Sequence, residues 1–153
     1  MYHGNRMDED LRQADADLAL LEHGSRAQLD QRLPDFDHRA HLRVAWRLCQ
    51  LEPLPSALAR ISAGLRRATA LVGARDKYHE TLTWAWMMLV AEREAEAEPG
   101  QSFAAFEAQN PDLFRGRTAL DRRYDRATLD SARARARFVL PTLPDPAGVP
   151  HGA

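Results

Sequence analysis

Two histidines three residues apart carry the most chemistry in this chain. In Phe36-Asp37-His38-Arg39-Ala40-His41-Leu42 the spacing puts both imidazoles on one face of a helix, about one turn apart, which is the geometry of a two-point chelate. The same face continues through Ala45, Leu48 and Cys49, so the pair is predicted to turn toward the core rather than toward water. A metal there needs at least one more ligand. His79 is the best donor, because it opens the most apolar helical stretch and starts its inward stripe of Leu82, Thr83, Trp86, Leu89 and Val90. Three neutral imidazoles suit copper, iron or zinc, and leave a coordination position for water, oxygen or substrate.

The residues beside His79 add to the case. Lys77-Tyr78-His79-Glu80-Thr81 places an ammonium, a phenol, an imidazole and a carboxylate in four consecutive positions at a helix start, where backbone donors also favour anions. Glu80 could be a fourth ligand, an orienting partner of an imidazole, or a general base. Lys77 or Tyr78 could hold an anionic substrate or supply a proton. Lys77 is the only lysine among 21 basic residues, which singles it out in a chain that otherwise uses arginine. Two other readings stay open: a polar active site without metal, and imidazoles that are satisfied core groups bonded to Asp37, Glu80 or backbone carbonyls.

These side chains must be positioned by helices. Leucines at 11, 18, 21 and 29 predict a helical stretch over 5–33 with a possible break at Gly24-Ser25, and Pro34 ends it. A second helix starts at a cap on Asp35 or Asp37 and runs to Cys49, before Pro53 and Pro55. Leu58, Ile61, Leu65, Ala68 and Leu71 mark a third, stopped by Gly73. The His79 helix ends before Pro99-Gly100. Phe103 and Phe106 belong to a short helix, two more are predicted over 118–123 and 126–137, and a proline-rich tail follows over 142–153. No β alternation is evident. The fold class is therefore all-α, one compact helical bundle of about five to seven helices across 1–153, with an N-terminal helix over 1–33 and a core over 36–141.

The segments Phe36 to Trp46, Lys77-Tyr-His-Glu-Thr-Leu-Thr83 and Phe103-Ala-Ala-Phe-Glu-Ala-Gln-Asn-Pro111 resemble a family of small, largely uncharacterised bacterial all-helical proteins, over roughly Phe36 to Pro141. The resemblance implies that the two histidine segments form one site. It implies no particular activity, substrate or metal.

Composition limits the partners. With 153 residues, 28% charged side chains and a formal net charge of −1, the chain has no general attraction for nucleic acid or an anionic membrane. No apolar run is long enough for a membrane span, and the single Cys49, read as a buried thiol, fits a cytoplasmic protein. Eight arginines over 115–137 against Asp121, Asp125 and Asp130 are read as a solvated face or a surface paired with the acidic first helix. Trp86 is read as core and Trp84 as a packing contact; exposed apolar positions on the first helix would allow a homodimer. The function expected from all this is a small metal-dependent enzyme acting on a small polar or anionic substrate by Lewis-acid or oxygen-dependent chemistry. His38, His41 and His79 would be the ligands, with Lys77, Tyr78 and Glu80 handling substrate and protons. Carboxylates are too few for a bridged di-iron centre. The alternatives are a non-catalytic interaction module whose arginine-rich part meets an acidic protein, and a metal carrier or sensor.

Overall fold

The computed structural model describes residues 3–144, with side chains from Arg6 onward. They form nine α-helices and no strand among the described residues, six of the helices having seven residues or more. Helix α1 (His3–His23) is followed by α2 (Arg26–Arg32), α3 (His38–Leu51), α4 (Leu54–Leu71), α5 (Glu80–Ala95) and α6 (Phe103–Gln109). Three short helices complete the set: α7 (Thr118–Asp121), α8 (Arg126–Leu129) and α9 (Ala132–Ala136). No described helix is long and apolar enough to cross a membrane.

Local chemistry explains most boundaries. The break at Gly24-Ser25 is real: Ser25 accepts from the Gln28 amide while the Gln28 side chain accepts from the Ser25 amide, so a new helix is capped there. Asp37, not Asp35, caps α3 by accepting from the Ala40 amide at 2.9 Å. Pro55 does not punctuate the end of α3; it sits in the first turn of α4, where a missing N–H costs nothing. Gly73 stops α4 with a φ of 72°, a left-handed conformation that favours glycine. The stretch 126–137 is split, because the Ser131 side chain caps a fresh turn by accepting from Ala134. That split leaves Arg126 and Arg133 on separate short helices.

Helix α5 packs between α3 and α4, and α1 lies across those same two helices. The main core runs from Leu42, Trp46 and Ile61 through Met87 to Phe103 and Phe106, with Trp46 and Phe103 5.3 Å apart between ring centres. At Gly64 a methyl would stand 3.2 Å from the Leu21 Cβ, so glycine lets α1 and α4 approach closely. The leucines of α1 are taken up inside the chain, Leu18, Leu20 and Leu21 being buried. These three positions are therefore not apolar surface through which the first helix would allow a homodimer. The acids of α1 also pair differently from expectation. Asp17 meets Arg43, Asp15 meets Arg47 and Glu22 meets Arg60, so α3 and α4, not the arginine-rich segment, neutralise the first helix. Cys49 packs against the core, where burial and the Glu94 carboxylate push its thiol up to about 12. That disfavours the reactive thiolate at neutral pH.

The chain folds back after α9. The Tyr124 hydroxyl donates to the Val139 carbonyl, and the amides of Thr142 and Leu143 donate to the Arg123 carbonyl. Residues from 145 onward, most of the expected proline-rich tail, lie outside the described residues.

Candidate functional site

A cavity of about 260 Å³ opens where the start of α3 faces the start of α5, and His38, His41 and His79 all line it. Phe36 and Trp86 give it aromatic walls, and Leu65 and Leu82 apolar ones. Lys77 and Tyr78 also reach it, from the turn that leads into α5. Convergence of the two segments is therefore a property of the fold. Coordination by three imidazoles is a separate matter: among the described residues, no three His, Cys, Asp or Glu side chains are grouped so as to hold a metal ion.

The hydrogen bonds of His79 explain this. It is not the first residue of the helix stripe but the N-cap of α5, and its Nδ1 accepts from the Leu82 amide at 3.1 Å. Its Nε2 lies 2.7 Å from the Leu129 carbonyl. A carbonyl only accepts, so Nε2 carries the proton and Nδ1 uses its lone pair on the cap. Both nitrogens are engaged, and burial holds the ring's pKa below the ordinary histidine value. The expected third ligand is thus a helix cap. His79→Ala is expected to cost about 2 kcal/mol, from the lost cap and a stranded carbonyl. His79→Asn, which can still cap, should recover about half of that in a urea titration; equal losses in the two variants would contradict the capping role.

His38 differs in one respect. Its Nε2 donates to the Leu113 carbonyl at 2.8 Å and its ring stands edge-on to Trp86, 4.6 Å between centres. In the neutral ring Nδ1 is then left with a free lone pair. An imidazole anchored through one nitrogen to a carbonyl, with the other free, is the arrangement that metal-ligating histidines adopt.

His41 has no anchor. Its Nε2 is buried and lacks any hydrogen-bond partner, while its ring stacks loosely on Phe36. Burial, and then the neighbouring His38, push its pKa down to about 4. The ring is neutral at physiological pH. A buried polar nitrogen without a partner costs on the order of 1–3 kcal/mol, and such a cost is commonly kept where a ligand supplies the missing partner.

Glu80 and Tyr78 do not take the roles expected of them. Glu80 is 6% exposed and does not line the cavity; its Oε1 accepts from Ser62, Tyr78 and Trp84, and Arg66 pairs with its Oε2. The Tyr78 hydroxyl lies 2.8 Å from the Ser62 Oγ, so this ring offers the cavity a wall and not a proton. Arg66 sits over the same ring at 5.0 Å. Glu80 is thus the centre of a clamp between α4 and α5. Lys77 remains exposed at the rim, with no ion pair among the described residues. Trp84 stacks on Phe138, 5.1 Å between centres, as a packing contact, whereas Trp86 is both core and cavity wall.

Phe36, Leu65 and Thr69 are cavity residues that the sequence did not single out. The only hint was the position of Phe36 two residues before His38. No family model, no curated protein and no solved structure matches this chain. The resemblance to the small bacterial helical proteins rests on its quoted segments alone.

Proposed function

We propose that the chain is a small-molecule enzyme whose cavity works with the imidazoles of His41 and His38, His79 serving as scaffold and Lys77 as the cation that meets an anionic substrate. The observation that carries this is the buried Nε2 of His41, left without a partner beside a cavity lined by two other imidazoles that are each fixed to a backbone carbonyl. With a pKa near 4 the ring is a poor proton reservoir at neutral pH but a constant hydrogen-bonding group and lone-pair donor. A substrate that completes a hydrogen bond with this nitrogen, and brings its negative charge to Lys77, would bind polarised between the two.

A metal-assisted version has its own support, in the free Nδ1 that the Leu113 carbonyl leaves on His38. There the His38–His41 pair would hold a zinc, copper or iron ion, with substrate or water completing the coordination. Equilibrium dialysis against each metal separates the versions. The metal-assisted one expects near-stoichiometric uptake, weakened about tenfold or more in His38→Ala and His41→Ala but retained in His79→Asn. Absence of uptake discards the metal. Small-anion titrations followed on the imidazole NMR signals then test the metal-free site, and signals of His41 that stay fixed for every anion would discard that as well.

A further inference from the structure

The histidine cavity does not end at Phe36. A second hollow of about 470 Å³ adjoins it, and Phe36, Leu65, Thr69 and Lys77 line both. The two spaces differ in character. The first carries the imidazoles; the second is floored by the buried Leu29 and walled by Leu33, Pro34 and Val72. Lys77 is the residue of opposite chemistry at their junction. Of the carboxylates that line the two hollows, Asp37 caps α3 and Asp30 lies 3.7 Å from Arg26, while Arg66 is turned to Glu80.

We propose that the two hollows form one binding site for a small amphipathic monoanion, a carboxylate head carrying an aliphatic or aryl chain. The inference rests on the reading of the histidine cavity given above, and deepens it by naming the substrate class. The head sits by Lys77 and the imidazoles; the chain lies along the groove of Leu29, Leu33 and Val72. Lys77, the one lysine or arginine lining either hollow, matches one negative charge, and His41, in the tautomer that carries its proton on the partnerless Nε2, donates a hydrogen bond to the carboxylate without adding charge. The groove matches the chain because such a wall gains from each methylene withdrawn from water.

The test uses the full chain and a series of unbranched carboxylates, acetate, butanoate, hexanoate and octanoate, with octanol and octylamine as controls. Binding is followed on the histidine ring signals and on the methyl signals of Leu29 and Val72. Affinity is expected to rise roughly two- to fourfold per added methylene in the groove. The ring of His41 and both methyl groups should shift together. Lys77→Met should weaken octanoate by about tenfold while leaving octanol unchanged, and Val72→Asp should remove the chain-length gain but keep the short acids. Shifts of His41 without any dependence on chain length overturn the groove and leave the histidine site standing. No shift of His41 with any acid overturns both. Octanol or octylamine binding as tightly as octanoate overturns the assignment of the carboxylate to Lys77.

Discussion

Lowering the pH from about 6.5 to about 4 is expected to remove about 3 kcal/mol of stability through His41 alone. The sign follows from where the proton is bound. Burial depresses the folded-state pKa, so below the ordinary histidine value the unfolded chain takes up a proton that the folded one refuses. The stabilisation is complete above that value, falls through the window down to about 4, and is flat beneath it. His79 is depressed in the same direction, and carboxylates contribute to acid unfolding as well. The informative quantity is therefore the difference between the wild type and His41→Gln. Urea titrations across the window should show the wild type losing more stability than the variant, and the His41 ring signal should stay in its neutral position until near the lower limit. Parallel losses in the two proteins would mean that water reaches this ring freely, and the partnerless nitrogen would cease to argue for a ligand.

The second large effect concerns Glu80. Glu80→Ala is expected to destabilise the fold by about 3 kcal/mol, because it strands half-buried donors from Ser62, Tyr78 and Trp84 and releases Arg66. For a chain of this size that corresponds to a fall in melting temperature of roughly 6–12 °C. Much of Arg66 is already in water, with 54% of its side chain exposed, which keeps the loss at the lower end for a broken buried pair. Glu80→Gln preserves an acceptor for the three donors and should cost about half as much. Were Glu80 instead a general base facing the substrate, the Gln variant would keep its melting temperature and lose its activity. Thermal unfolding and ligand binding measured on the same pair of variants separate the two roles.

Helical periodicity and caps were readable because they are local. The helix marked by Leu58, Ile61, Leu65 and Ala68 and the Asp37 cap depend on neighbours within a few residues, and both appear where their spacing puts them, although Leu71 at the helix end is exposed. The His38–His41 pair was readable for the same reason. What its spacing could not reveal was the occupation of each nitrogen, since the carbonyls of Leu113 and Leu129 stand 75 and 50 residues away from His38 and His79. His79 was misassigned because caps are usually Ser, Thr, Asp or Asn, and a histidine in that place carries no familiar signal. Glu80 was misassigned because consecutive residues fan around a helix. The one that faces the cavity cannot be told from the one that faces α4 without knowing which side α4 lies on. The stretch 126–137 divides for another local reason, the Ser131 cap, which the run of alternating Arg and Ala had obscured.

The two carbonyl anchors belong to the last third of the chain, although the rings they orient lie in the first two thirds. During synthesis at about 5–20 residues per second, α3, α4 and α5 can therefore gather their apolar faces while His38 and His79 are still free to turn. Alignment of these two rings is therefore a late event in the life of each molecule, complete only once Leu129 has been added. A nascent chain arrested before that residue would carry the helices without an aligned pocket.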